Sequence, residues 1–439
     1  MMQEFNFKCH HSEDLLKKLI FLNSNSNGVL NKPEIIESNL VHFPIVKIIQ
    51  SLDSLSRKLI KNKKTASVIA AYELGFLIPF LRKRNLENII KLNFNDISKL
   101  DNPLPVSKSK SIFLQPRGTL VHWISGNMPV LGFISLVCGI ITKNINIVKL
   151  PSKSYEDFLD LFNLIVNEKD FIKEKFLFEN VIPITVNKDH EIELNKLSML
   201  ADTRIFWGGK EGLEMIRSLS RKVDSNDLIM GPKLSSALVS LDYFKKLNVT
   251  SREELLNNIV KDIVTGNQRG CNSPHFIYLL GSHNDDQPRH FIDALDKSFK
   301  TTLSKNSKLQ ASPVERFNVL SETFNFVSNS SGQVRGSVND QYKVFLYENN
   351  DNLSTFDSPA YGNTVFVQLC ESLDDILYQS NPQTISVSIF EEHQELITTQ
   401  LIRLGFLRIV KPGSMSAYDH PWDGLMPLND LVKYISISL

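Results

Sequence analysis

Gly118-Thr-Leu-Val-His-Trp-Ile124, Ser125-Gly-Asn-Met-Pro129, Val130-Leu-Gly-Phe-Ile-Ser-Leu-Val-Cys-Gly-Ile-Ile-Thr142 and Ile145-Asn-Ile-Val-Lys-Leu150 follow one another as strand, turn, helix and strand. The outer two segments are short, apolar and rich in β-branched residues, as strands are. Pro129 opens the helix, where an N–H has no intrahelical partner to lose. Parallel strands need a crossover of this kind, so the stretch is a βαβ unit. Between Gly118 and Thr142 there is no Asp, Glu, Lys or Arg. His122, Ser125, Asn127 and Pro129 interrupt the apolar run, and its first third is strand-like. A buried strand and helix fit it better than a membrane span of about 20 apolar residues.

Downstream the rhythm repeats. The pattern predicts a helix over Tyr155–Asn167, a strand over Val181–Val186, a helix near His190–Leu200, a strand over Thr203–Phe206, a glycine turn and a helix over Gly212–Leu219. Alternation of this sort describes a doubly wound α/β domain. After Asn226 it restarts with strand Ser236–Ser240, helix Ser251–Thr265, strands His275–Leu280 and Thr364–Leu369, a short helix Leu373–Leu377 and strand Ile385–Ile389. Upstream, Ser12-Glu13-Asp14 reads as a helix start, and Val46–Phe80 as apolar residues at helical spacing with Gly75 inside. Lys108–Lys110, flanked by prolines, marks a joint. The division expected is 1–109 helical, 110–232 a first α/β domain, 233–410 a second α/β domain carrying Cys271, and a 411–439 tail.

Bulk properties exclude several classes. With 439 residues the chain exceeds one hydrophobic core. A net charge of +1 favours neither nucleic acid nor an anionic membrane. Cys9, Cys138, Cys271 and Cys370 are far apart and form no CxxC, so no metal site or disulfide framework is indicated. The beginning Met-Met-Gln-Glu-Phe-Asn lacks a cationic, then apolar, signal pattern, and the expected location is the cytoplasm.

Three places can carry chemistry. Gly270-Cys271-Asn272 is a turn between a helix and a strand, where Cys271 is either a nucleophile or a buried inert thiol. His275, four residues on, reads as a strand residue and not as its base. Asn127 is either an oxyanion donor or a helix cap. Gly208-Gly209 either admits phosphate to a helix N-terminus or merely opens that helix.

In their order these pieces resemble the aldehyde dehydrogenase superfamily, over about residues 110–439. They are Asn127-Met128-Pro129, Val148-Lys149-Leu150-Pro151-Ser152, Phe206-Trp207-Gly208-Gly209, Gly231-Pro232-Lys233-Leu234-Ser235, Gly270-Cys271 and Tyr361-Gly362-Asn363-Thr364 with Glu371–Asp375. His122–Pro129, Cys271-Asn-Ser-Pro274 and Pro421–Leu428 resemble the bacterial long-chain acyl-CoA reductases of the luminescence fatty-acid reductase type. The resemblance implies two α/β domains, one Rossmann-like and one catalytic, beside a helical N-terminal region. It implies Cys271 as acyl-carrying nucleophile and Asn127 as oxyanion donor. Lys149, Ser152, Lys153, Gly208 and Gly209 become cofactor-binding residues. Where NAD-using members carry a Glu, Ser152 followed by Lys153 implies NADPH. The implied reaction is reduction of a long-chain acyl-CoA or acyl-protein thioester to the aldehyde. Also implied are an acyl-protein synthetase partner and a homo-oligomer. A non-reducing cysteine acyltransferase or hydrolase, and an inactive scaffold, are the alternatives. Two positions depart from the pattern: Ile229 stands for the glutamate base that activates water in oxidising members, and Pro359 for the glutamate on the nicotinamide ribose.

Overall fold

The computed structural model of the chain describes residues 8–9, 37–72, 74–126, 130–282, 286–305, 309, 311–329, 332–337, 339, 341–347, 362–376 and 381–438. Two compact units result, one comprising 1–231 with 418–439 and the other 232–417.

In the first unit, strand β1 (Lys8–Cys9) precedes helices α1 (Ile45–Lys61), α2 (Lys63–Ala71), α3 (Leu77–Phe80) and α4 (Lys83–Phe94). The stretch expected as one helical run over Val46–Phe80 is therefore broken. Asn62 ends α1 and caps α2, its side chain accepting from the N–H groups of Lys64 and Thr65. The expected start at Ser12 lies outside the described residues. Next come β2 (Leu104–Ser107) and β3 (Lys110–Pro116), then β4 (Thr119–Trp123), α5 (Val130–Ile141), β5 (Ile145–Leu150), α6 (Ser152–Asn167), β6 (Val181–Thr185), α7 (Glu191–Leu200), β7 (Thr203–Trp207), α8 (Lys210–Ser218) and β8 (Asn226–Met230). The main sheet runs β1-β6-β5-β4-β7-β8 and is parallel except for β1. Its order reverses at β4, the switch point of a doubly wound sheet.

Two expectations change here. Lys108 lies in the turn of the β2–β3 hairpin, not at a joint, and β3 pairs antiparallel with Val432–Ile437. The segment after 417 therefore completes the first unit and is no separate tail. The N-terminal helices share its core, since Leu52, Phe80 and Leu86 cluster with Phe133, Phe158, Trp422 and Leu428.

The second unit contains β9 (Leu234–Ser240), α9 (Leu241–Lys246), α10 (Val249–Val264), β10 (Pro274–Leu280), α11 (Gln287–Lys305), α12 (Pro313–Asn329), β11 (Gly332–Gly336), β12 (Lys343–Tyr347), β13 (Thr364–Cys370), β14 (Pro382–Ser388), α13 (Gln394–Arg403) and β15 (Arg408–Val410). Its sheet runs β11-β12-β13-β10-β9-β14-β15, parallel except for β11. Strand β8, the β11–β12 hairpin and β15 escape a reading by periodicity, being short or only partly covered.

Polar side chains buried in the first sheet form a closed chain. Trp207 Nε1 donates to Ser135 Oγ at 3.2 Å, and that hydroxyl lies 2.7 Å from His122 Nδ1. His122 Nε2 lies 3.0 Å from Asn146 Oδ1, an acceptor, so the ring carries its proton on Nε2 and is neutral. Asn146 Nδ2 donates to the Asn144 carbonyl. Room for this comes from Gly139, where a Cβ would stand 1.8 Å from Asn146 Oδ1.

Burial pushes the imidazoles of His122 and His420 down to about 4. Each titrates near 6.5 when unfolded, so its contribution is complete above that pH and lost as pH falls toward 4. Asp157 and Asp430, raised by burial, act in the opposite sense. All three tryptophans, Trp123, Trp207 and Trp422, lie in the first unit and report its unfolding. Urea unfolding followed by their fluorescence should show a histidine contribution of roughly 2–3 kcal/mol per pH unit near pH 5. His420→Gln should remove about half of that slope; an unchanged slope would show that His420 is not buried neutral.

Candidate active site

Cys271 lies in the second unit, in the loop between α10 and β10. After Val264 the chain turns through Gly266, Asn267 and Gln268, with φ of 61°, 53° and 59°. Gly and Asn tolerate this left-handed region, whereas Gln268 is held there by its side chain. Gln268 Nε2 donates to the carbonyls of Pro274 (2.9 Å) and Thr364 (2.7 Å), and its Oε1 accepts from the Thr364 N–H at 2.9 Å. One buried amide thus fastens the loop to the starts of β10 and β13. Arg269 pairs with Glu315 of α12 through Nε at 2.9 Å and Nη2 at 2.7 Å. Burial would raise the Glu315 carboxyl, but hydrogen bonds from Ser312 and Arg269 hold it below the ordinary range.

Beyond the cysteine, Asn272 Nδ2 donates to the Met415 carbonyl at 2.9 Å. The N–H groups of Gly413 and Met415 donate to Asp262 on α10, and Arg408 donates to the carbonyls of Met415 and Ala417. Burial pushes Asp262 up to about 6 against the lowering effect of those N–H groups. On the strand side, Ser235 Oγ donates to the Cys271 carbonyl at 2.6 Å. Gln383 Nε2 donates to Cys271 Sγ at 3.2 Å. The loop is therefore held from α12, β9, β13, β14 and the segment after β15.

Cys271 sits at the amino ends of β9, β10 and β14. The turn expectation placed it at a cleft-facing strand end, whereas the general rule for such sheets concerns carboxyl ends. His275, next on β10, is buried and pushed down to about 3, which disqualifies it as a base near neutrality. Cys138 and Cys370 are buried with thiols raised to about 12, while Cys271 is half-buried.

The five expected cofactor residues all lie in the first unit, at the carboxyl ends of β5 and β7. Lys149 Nζ stands 5.9 Å from the centre of the Trp123 ring, and burial lowers its pKa. Ser152 and Lys153 begin α6 and are exposed. Gly209 caps α8, and a Cβ there would meet nothing within 4 Å; at Gly208 a Cβ would press 2.8 Å from the Phe206 ring. Two helix N-termini thus face solvent beside β5 and β7, with their first backbone N–H groups unpaired within the helix. Asn127 and Pro359 lie outside the described residues. Ile229 is on β8, packed with the apolar residues of the first sheet. Ser235 entered the sequence reading only as the last residue of the Gly231–Ser235 motif, and Gln268 and Gln383 were assigned no role; an isolated polar residue leaves little local mark. Among the described residues no cluster of His, Cys, Asp and Glu could hold a metal, and no helix is long and apolar enough to cross a membrane.

The profile of the acyl-CoA reductase (LuxC) family matches residues 45–434. A long-chain acyl-protein thioester reductase of Photorhabdus luminescens is 23% identical over 360 residues, covering 81% of this chain and 70% of its own length. The protein of that name from Aliivibrio fischeri is 24% identical over 364 residues, covering 81% and 71%. Among solved structures, aldehyde dehydrogenase 21 from Physcomitrella patens superposes with a TM-score of 0.66 at 9% identity, over 98% of this chain and 91% of its own. A 1-pyrroline-5-carboxylate dehydrogenase from Thermus gives 0.62 at 12% identity, over 91% and 82%. These likenesses show the aldehyde dehydrogenase fold.

Iodoacetamide should alkylate Cys271 in the native protein and spare Cys138 and Cys370 until urea is added. Peptide mapping checks this, and equal labelling of Cys138 or Cys370 in the folded state would contradict their burial.

Proposed function

Because the chain belongs to the acyl-CoA reductase (LuxC) family and is an acyl-reducing oxidoreductase, we propose that it converts a long-chain acyl-CoA or acyl-protein thioester to the aldehyde through an acyl group carried on Cys271. One observation carries this reading: among the cysteines whose burial is described, Cys271 is the half-buried thiol, on a loop held from five sides, while Cys138 and Cys370 are buried and protonated.

The Cys271 thiolate attacks the carbonyl carbon of the thioester, and the π pair moves onto oxygen. That oxyanion is held by the Cys271 backbone N–H and by the Asn127 amide, a role assigned to Asn127 on its motif alone. As the oxyanion collapses, the carrier thiolate leaves and the acyl group stays on Sγ. A reduced nicotinamide dinucleotide, when bound, supplies the hydride that reduces the thioester carbon. Sγ then departs as thiolate and the aldehyde is released. Ile229 offers no carboxylate to activate water, which favours reduction over hydrolysis of the acyl group.

Gly208, Gly209 and the start of α8 suit the pyrophosphate. Lys149, Ser152 and Lys153 suit a 2′-phosphate, since a hydroxyl and two ammonium groups donate to it without a repelling carboxylate. The reductant is accordingly NADPH. An acyl-protein synthetase as donor partner, a homo-oligomeric state and a cytoplasmic location complete the reading.

Mixing the protein with acyl-CoA alone should leave an acyl adduct on Cys271 by mass spectrometry, and Cys271→Ala should lack both adduct and reductase activity. An active Cys271→Ala protein would overturn the mechanism. Steady-state comparison should give a higher kcat/KM for NADPH than for NADH, and Ser152→Glu should reverse the order. Equal values for the two cofactors would remove the 2′-phosphate argument.

A further inference from the structure

Gln383 is buried, with 1% of its surface accessible, and its side-chain amide ends against Cys271 Sγ. Its placement depends on a disturbance in the sheet. Along β14 the register with β9 passes from Pro382 opposite Leu234 to Ile385 opposite Ser236, so β14 carries one extra residue there. On the other side of β9, β10 passes from Pro274 opposite Ser235 to Phe276 opposite Ser236, again with one extra residue. Bulges are uncommon between parallel strands, and they re-aim a side chain. The two flank Ser235, the residue whose hydroxyl holds the Cys271 carbonyl. Ser235 Oγ also accepts from the Thr384 N–H at 3.2 Å and lies 3.3 Å from Gln383 Oε1. The backbone on either side is held as well, since the Leu407 N–H donates to the Gln383 carbonyl at 2.9 Å.

We propose that Gln383 is a positioning residue that stabilises the thiolate of Cys271, its amide N–H donating to Sγ from the bulge of β14. The proposal rests on Cys271 as nucleophile, but its test does not require reductase activity. An N–H donor favours the ionised sulfur over the thiol, which needs no such donor. The charged groups on the surrounding elements have other partners: Arg269 binds Glu315, Arg408 binds carbonyls of 414–417, and Asp262 accepts from Gly413 and Met415. His275 is buried with its pKa pushed down to about 3. The neutral amide of Gln383 donates to the sulfur at 3.2 Å.

The test is the pH dependence of Cys271 alkylation by iodoacetamide in the full-length protein. Gln383→Met keeps volume and loses the donor; Gln383→Glu keeps shape and places a carboxylate at the sulfur. Losing a hydrogen bond to an ionised group should move the apparent thiol pKa up by about one unit in Gln383→Met. Gln383→Glu should move it further. Alkylation at neutral pH should then slow about tenfold and recover toward the parent rate above the new pKa, a recovery that a distorted loop would not show. In the parent protein, carrying 15N-glutamine, one side-chain amide resonance should titrate with the alkylation pKa and stop titrating in Cys271→Ala. Superimposable pH profiles for parent and variants would overturn the proposal. So would the absence of a titrating glutamine amide, which is decisive even where a variant does not fold. If the profiles shift while acyl-CoA leaves no adduct on Cys271, the thiolate assignment stands and the acyl-reductase mechanism falls.

Discussion

A parallel sheet covered on both faces offers its polar side chains no water, so each must find a partner inside the protein or make folding costly. Both units are built under this constraint. In the first sheet His122, Ser135, Asn146 and Trp207 close a chain that fixes one tautomer and joins β4, α5, β5 and β7 where the strand order reverses. In the second, Gln268, Ser235 and Gln383 are among the buried groups, and their partners are the backbone and sulfur of the cysteine loop or its neighbouring strands. The same requirement that stabilises the sheet therefore aligns the chemistry. A loop held this way loses little freedom when a reacting carbonyl arrives, which is what a nucleophile needs.

The strained backbone fits the same logic. Three consecutive residues, 266–268, adopt positive φ, which is costly for a residue such as Gln268. Its amide recovers that cost through three buried hydrogen bonds, and the turn brings Cys271 to the amino ends of β9, β10 and β14. The other unit is arranged differently: the carboxyl ends of β5 and β7 lead into helices whose first backbone N–H groups are not capped by side chains, and Gly209 leaves open space at the start of α8.

Membership of the acyl-CoA reductase (LuxC) family and the aldehyde dehydrogenase fold agree, yet they carry different information. The fold accommodates many carbonyl chemistries, and sequence identity to the superposed dehydrogenases is only 9% and 12%. Within the units, Ile229 of β8 is an apolar residue packed with the first sheet, and His275 is buried with its pKa pushed down to about 3.

Sequence alone determined the βαβ unit around Asn127, the doubly wound order of the first unit, the turn bearing Cys271 and the glycines after β7. In each, apolar runs of fixed period or Gly and Pro at special backbone positions leave a local mark. Tertiary structure alone decided where the last strand belongs. Val432–Ile437 pairs with β3 across more than three hundred residues, and no local pattern announces such a partner. It also decided which polar residues surround the nucleophile. Ser235 and Gln383 are 36 and 112 positions from Cys271, and they meet it because strands distant in the chain are neighbours in the sheet. Hydrogen bonding of this kind depends on bulges and register, which arise only once the strands have paired.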